Sequence, residues 1–340
     1  MIVMKEWTGY TRGVNLGGWL SQCPYQHAHY ESFITEKDIE TIASWGLDHV
    51  RLPVDYEVIE DTGNAEAYAG FKHIDNCIRW CAANGLNLII DLHKTPGFSF
   101  NSVAENSLFD DPELQERFLN LWKAIASRYA SYKDTVAFEL LNEIVEQDSS
   151  RWNALAQRTI AEIRKHAPET KIVIGGIQWN SVHTLGLLDQ PFDENIVYTF
   201  HFYEPFLFTH QRAAWVEQMP KSSMDYPGDL ENYRSTSAAI GAFGSGLHVE
   251  GIHEMGPAYM TSLIQNAIDV AAERNVYLYC GEYGVIEQAP SQSVVNWYKD
   301  VHGVFEQYKI GRAAWTYKKM DFGISDRYDS SITSEIISYL

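Results

Sequence analysis

A chain of 340 residues, 45% of them apolar, can bury a large core, and no apolar run reaches the roughly 18 residues that span a bilayer. A formal net charge of −19 with no basic stripe excludes nucleic acid and other polyanionic partners, and fits a well-solvated surface. The four cysteines, Cys23, Cys77, Cys81 and Cys280, form no CxxC pair, so neither a zinc ribbon nor a disulfide scaffold is supported.

The opening stretch, Met1 to Tyr10, is too short and too broken for a signal peptide. The expectation is a cytoplasmic protein, or a secreted one whose leader is not part of this sequence. Strand-like and helix-like segments then alternate. A strand at Gly13–Leu16 is followed by a helix that opens on a capping-box pattern, Thr35-Glu36-Lys37-Asp38, and stops at Gly46. A strand at His49–Pro53 leads to a helix with Ile74, Cys77, Ile78 and Cys81 on one face and Gly85 beyond its end. After the strand Leu86–His93, Asp111-Pro112 reads as an N-cap with proline in the first helical position. Leu114, Phe118, Leu121, Trp122, Ile125 and Tyr129 line that helix. The strand Val136–Asn142 precedes the stripe Trp152, Leu155, Ala156, Ile160 and Ile163, which Pro168 ends. Further strands are expected at Lys171–Gly175, Ile196–Tyr203, Val276–Gly281 and Arg312–Thr316, with helices near 181–189, 257–274, 291–308 and 331–339.

Eight β/α units predict an α/β fold, a single (β/α)8 TIM barrel over residues 1–340. A doubly wound sheet would carry a glycine-rich phosphate loop after an early strand, and Gly13-Val14-Asn15-Leu16-Gly17-Gly18 is not GxGxxG. One connection is anomalous. More than 70 residues separate Tyr203 from Val276, so 204–256 reads as an insertion subdomain after strand 6, over the active-site face. It begins with Phe206, Phe208 and Trp215 and holds a Gly/Ser-rich part from Gly241 to Gly246.

Polar or indole groups close most of the strands. Arg51 ends the second, His93 the third, Asn142 and Glu143 the fourth, His201 and Tyr203 the sixth, Glu282 the seventh and Trp315 the eighth. Packing alone does not explain such a set, because unpaired buried polar groups are costly. Two apolar strands that each deliver a glutamate at the C-terminal end suit two-carboxylate chemistry. A metal site is not expected: His27/His29 and His253-Glu254 lack HExxH spacing and an evident third ligand.

The ordered set Arg51-Leu52-Pro53, Asp91-Leu92-His93, Leu141-Asn142-Glu143, His201-Phe202-Tyr203, Gly281-Glu282-Tyr283-Gly284 and Trp315 resembles glycoside hydrolase family 5, also called cellulase family A. The resemblance spans nearly the whole chain. Asn15-Leu16-Gly17-Gly18-Trp19 and Tyr317-Lys318-Lys319-Met320-Asp321-Phe322 look most like its clostridial endoglucanases, which also carry an insertion after strand 6. Lys94 departs from that pattern, where those enzymes have a second histidine. The resemblance implies a retaining endo-β-1,4-glucanase acting on cellulose-type and mixed-linked β-glucans, with β-1,3-glucan, exo-action or β-mannan as the alternative. It implies Glu282 as nucleophile and Glu143 as acid/base. Arg51 and Tyr203 would hold Glu282 ionised, Asn142 would bind the sugar 2-hydroxyl, and His201 would lie near Glu143 and help set its protonation. His93 and Trp315 would bind substrate, with Asn15, Trp179, Phe206 and Trp215 as further subsite candidates. The expected partner is a β-glucan polysaccharide or oligosaccharide, with no cofactor, metal, nucleic acid or membrane, and the expected state is a monomer.

Overall fold

The computed structural model describes residues 4–101, 106–240, 247 and 249–340. Eight parallel strands close into a barrel in sequence order: β1 (Arg12–Asn15), β2 (His49–Asp55), β3 (Asn87–Lys94), β4 (Val136–Glu139), β5 (Ile172–Gly175), β6 (Ile196–Phe202), β7 (Tyr277–Tyr283) and β8 (Gly311–Ala314). β1 pairs with β8, so no edge remains open. This is the (β/α)8 barrel that the alternating segments predict.

The helices form where their caps and stripes place them. At the start of helix Glu36–Ser44, the Thr35 amide and hydroxyl both donate to the Asp38 carboxylate at 2.8 Å. Asp111 accepts from the Glu113 amide at 2.8 Å and opens helix Pro112–Tyr129, which buries Phe118, Leu121, Trp122, Ile125 and Tyr129. Cys77 and Cys81 are buried on helix Lys72–Ala83 with their sulfurs 4.0 Å apart, as core residues. The helix expected near 181–189 is a six-residue 3₁₀ helix, Val182–Leu187.

β4 is shorter than its apolar run. Its ladder ends at Glu139, yet the chain stays extended, with the Leu140 amide bonded to the Val173 carbonyl and the Asn142 amide to Leu92. Asn142 and Glu143 therefore stand just above the sheet rather than within it. Among the described residues, no helix is long and apolar enough to cross a membrane.

The barrel interior is layered because successive side chains along a strand alternate sides. The lower layer is apolar and aromatic: Trp7, Tyr10, Ile89, Ala137, Val173, Val197, Tyr279 and Ala313 form one buried cluster. Two residues further along the strands come Asn15, Arg51, Asp91 and Glu139, all fully buried. Above them, towards the C-terminal ends of the strands, stand His93, His201 and Glu282.

The connection from β6 to β7 contains a short helix, Phe206–Thr209, and helices Leu230–Ile240 and Pro257–Glu273. The Gly/Ser-rich part from Gly241 to Gly246 lies outside the described residues. The connection is tied to the barrel by Trp297 Nε1 donating to the Glu204 carbonyl at 2.8 Å, by the Ile286 amide on the Thr209 carbonyl at 2.8 Å and by the Tyr226 hydroxyl on Asp300 at 2.8 Å.

Candidate active site

A cavity of about 740 Å³ opens at the C-terminal face of the barrel. Its floor is built on one guanidinium. Arg51, buried at 0% exposure, has five N–H donors, and all five are used. Nε and Nη2 grip Glu139 at 2.7 and 2.9 Å, Nη1 reaches Asn15 Oδ1 and Glu282 Oε1 at 2.9 Å each, and Nη2 reaches Asn142 Oδ1 at 2.9 Å. Asp91 Oδ2 lies 3.0 Å from Nη2 as well. Asp91 and Glu139 are register partners on β3 and β4, so the strand pairing itself sets two carboxylates side by side under Arg51. Burial pushes the Glu139 carboxyl up, against the pull of Arg51.

Glu282 is held at both oxygens. Arg51 donates to Oε1, and the Tyr203 hydroxyl donates to Oε2 at 2.9 Å. Burial, and then the nearby Glu282 carboxylate, raise the Tyr203 phenol well above its ordinary value, so it stays a donor. A register shift between Phe200 and His201 pairs His201 with Glu282 and turns both towards the cavity. His201 Nδ1 lies 2.8 Å from Glu143 Oε1 and 3.7 Å from Glu282 Oε2. One oxygen each of Glu143 and Glu282 and one His201 nitrogen all lie within 4.8 Å of one another.

The environments of the two carboxyl groups differ. Burial raises Glu143 to about 7, against smaller lowering from His93 and Arg51. Burial also lowers His201 to about 4, so its imidazole is neutral at ordinary pH. The cluster thus holds one carboxyl that keeps its proton near neutrality beside another whose two oxygens accept hydrogen bonds. Such a pair can serve as acid and nucleophile in one displacement. The same three side chains could in geometry hold a cation, but Arg51 already supplies the positive charge at Glu282.

The other expected residues divide. His93 and Trp315 both line the cavity, with rings parallel within 4° and centroids 5.8 Å apart. Burial would lower His93, but the Asp91 carboxylate, 2.6 Å from Nδ1, raises it. Trp179, Phe206 and Trp215 line the walls. Trp179 is anchored by its indole N–H on the Phe100 carbonyl at 3.1 Å, and Phe206 stacks on His210 at 4.2 Å. Asn15 does not face the cavity. It is fully buried beneath it, donating to the carbonyls of Gly281, Ala313 and Ala314 and accepting from Arg51, so its place is in the floor rather than in a subsite. Lys94 bonds Glu57 at 2.6 Å and the Tyr25 hydroxyl at 3.0 Å, behind the cavity wall.

Several groups went unmarked in the sequence reading. Glu139 carried a signal, a lone charge inside an apolar strand, but not its partner. Glu204, directly after Tyr203, and His210, after the short helix Phe206–Thr209, line the wall. Burial raises Glu204 to about 7 and lowers His210 to about 3. Gln22 approaches His93 Nε2 at 3.1 Å.

Residues 10–321 match the family description "Cellulase (glycosyl hydrolase family 5)". The chain belongs to glycoside hydrolase family 5. It is 39% identical over 336 residues to endoglucanase C of Acetivibrio thermocellus, covering 97% of this chain and 98% of that one. It is 38% identical over 318 residues to cellodextrinase A of Ruminococcus flavefaciens, covering 93% and 88%. Endoglucanase Cel5A of Thermotoga maritima has the same fold, with a TM-score of 0.73 at 26% identity and 97% of both chains covered, and it has also been solved with mannotriose. Membership makes this protein a glycoside hydrolase on a (β/α)8 barrel.

Proposed function

We propose that the protein is a retaining endo-β-1,4-glucanase that hydrolyses cellulose-type and mixed-linked β-glucans by double displacement. The observation that carries the mechanism is the spacing of Glu143 and Glu282, with oxygens within 4.8 Å. Retaining enzymes hold their carboxyl groups about 5 Å apart, whereas inverting ones need ~6.5–9.5 Å to admit water. In the first step a Glu282 oxygen attacks the anomeric carbon while Glu143 gives its proton to the glycosidic oxygen. In the second, Glu143 takes a proton from water, which displaces Glu282 from the glycosyl ester. Asn142, fixed by Arg51, faces the sugar 2-hydroxyl, a contact that strengthens in the oxocarbenium-like transition state. Trp315 forms the platform under the ring, and His93 bonds a hydroxyl.

Residues 204–256 act in this reading as an insertion subdomain that walls the cleft, supported by Glu204, Phe206, His210 and Trp215 along the cavity. The names of the two relatives near 39% identity support β-1,4-glucan as substrate. A β-mannan is the second reading, because the similar Cel5A was solved with mannotriose. Proton NMR of the first product tests the mechanism: the β-anomer is expected first, and early α-anomer would overturn it. Reducing-sugar release from barley β-glucan, carboxymethylcellulose, laminarin and mannan separates the substrates. Loss of activity with a chelator, restored by a divalent ion, would reassign the Glu143–His201–Glu282 cluster to a metal.

A further inference from the structure

The loop after β5 makes an unusual turn. Gln178, Trp179 and Asn180 follow one another with φ of 53°, 58° and 53°, the left-handed region that side chains with a Cβ avoid. Three such residues in a row persist only where surrounding structure fixes them, and runs of this kind gather at working sites. Here the turn is pinned to the segment that carries Glu143, through the Trp179 amide on the Ile144 carbonyl at 2.9 Å. Its effect is to place two neighbouring side chains in opposite roles. Trp179 is 44% exposed in the cleft, and Asn180 is fully buried, with Nδ2 3.3 Å from His201 Nε2. The end of β5 is shaped to admit it, since a Cβ on Gly175 would lie 2.2 Å from Asn180 Oδ1.

We propose that Asn180 is a positioning residue that selects the tautomer of His201 and thereby the oxygen of Glu143 that carries the catalytic proton. This rests on the reading of Glu143 as acid/base. The amide has two orientations. With Nδ2 towards His201, the buried carbonyl oxygen Oδ1 and the second amide N–H have no partner among the described residues. With Oδ1 towards His201, two buried N–H donors would be stranded instead, and buried N–H groups go unpaired more rarely than carbonyl oxygens. An amide N–H that donates to Nε2 requires Nε2 to be the bare nitrogen. The ring proton is then on Nδ1 and is donated to Glu143 Oε1, 2.8 Å away. Oε1 is thus an acceptor throughout the cycle, and the proton delivered to the leaving group sits on Oε2. In the opposite tautomer Nδ1 would accept from Glu143, drawing that proton to Oε1, away from the substrate. The charged and titratable groups facing His201 are Glu143 and Glu282 in contact, then Arg51, Asp91 and His93. Asn180 is the neutral group that breaks the symmetry of the ring.

The test has two arms. In protein with ¹⁵N-labelled histidine rings, two-bond ¹H–¹⁵N spectra at neutral pH, assigned by loss of the signal in His201→Gln, should show His201 protonated on Nδ1 and bare on Nε2. Asn180→Asp, which can only accept, should move a proton to Nε2, and Asn180→Ala should give a mixture. In kinetics, Asn180→Asp should lower kcat/KM about 10–100-fold on unactivated cello-oligosaccharides and less than about threefold on a dinitrophenyl cellobioside, because only the first needs an acid. A wild-type ring protonated on Nε2 overturns the proposal whether or not the variants fold. So does an equal loss on both substrates, which would mark Asn180 as a packing residue. If Glu143→Ala itself showed no selective loss on the unactivated substrate, the acid/base reading would fail instead, independently of the tautomer.

Discussion

Replacing Arg51 with Lys keeps the charge at the floor of the site and removes the fork. A lysine ammonium has three donors where the guanidinium uses five, so at least two buried acceptors among Asn15, Asn142, Glu139 and Glu282 lose their partner. Each buried group left unpaired costs about 1–3 kcal/mol, which sets the loss at roughly 2–6 kcal/mol. That is a large fraction of the ~5–15 kcal/mol that holds a typical protein folded. Equilibrium urea unfolding should read this as a lower midpoint with an unchanged slope. Asn142 and Glu282 would also lose their shared anchor, and a displacement near 1 Å in a reacting group costs about 100-fold in rate. The kcat/KM on an aryl cellobioside should fall by at least that factor. Lys72→Ala is the control. Its pair with Glu31 is 59% exposed on both sides, so the change should leave the urea midpoint essentially where it is in the wild type. An Arg51→Lys enzyme within about 1 kcal/mol of wild type in stability, with kcat/KM reduced less than about threefold, would refute the view that the fork, rather than the charge, organises the site.

The remaining predictions address chemistry and cleft. With Glu143 raised to about 7, the acid form is present below that pH, so kcat/KM on cello-oligosaccharides should fall as pH rises through about 7, while a dinitrophenyl cellobioside, which needs no acid, should show no such fall. The same shift lowers stability as pH rises from the ordinary carboxyl value towards 7, because the folded state resists ionisation; Glu143→Gln should therefore melt higher than wild type at pH 8 and alike at pH 4. Azide tells the two glutamates apart: Glu282→Gly should yield the α-glycosyl azide and Glu143→Ala the β-azide, and exchanged products would reverse the roles. Trp215→Ala should raise KM for polymeric β-glucan severalfold and leave the aryl glycoside nearly unchanged, since a 56% exposed indole contributes little to folding; equal kinetics on both would remove it from the cleft.

The barrel and the rim of its site could be read from the chain because both rest on local pattern. Apolar strands between amphipathic helices are visible in any window, and Arg51, His93, His201 and Glu282 each close such a strand. The floor could not be read that way. Arg51 meets Glu139 across 88 positions and Glu282 across 231, and only barrel closure brings them together. The resemblance offered Asn15 as a subsite residue, but it sits level with Arg51, one layer below His93 and Glu282, and its amide serves the backbone of β7 and β8. Asn180 lay between the expected strand Lys171–Gly175 and the helix expected near 181–189, in a stretch assigned to neither. The left-handed turn that buries it has no glycine to announce it.

Of the ten tryptophans, those classed as exposed among the described residues are Trp179 and Trp215, and both lie on the walls of the cleft. This gives the protein a built-in optical reporter. A neutral quencher such as acrylamide reaches these two indoles first, while Trp19, Trp122, Trp152 and Trp297 are screened by the core. A sugar chain seated between the walls would shield the accessible pair, so the loss of quenching on titration gives an occupancy curve without label or turnover. Single Trp→Phe changes at 179 and 215 would then apportion the signal to the two walls and show along which one the chain first settles.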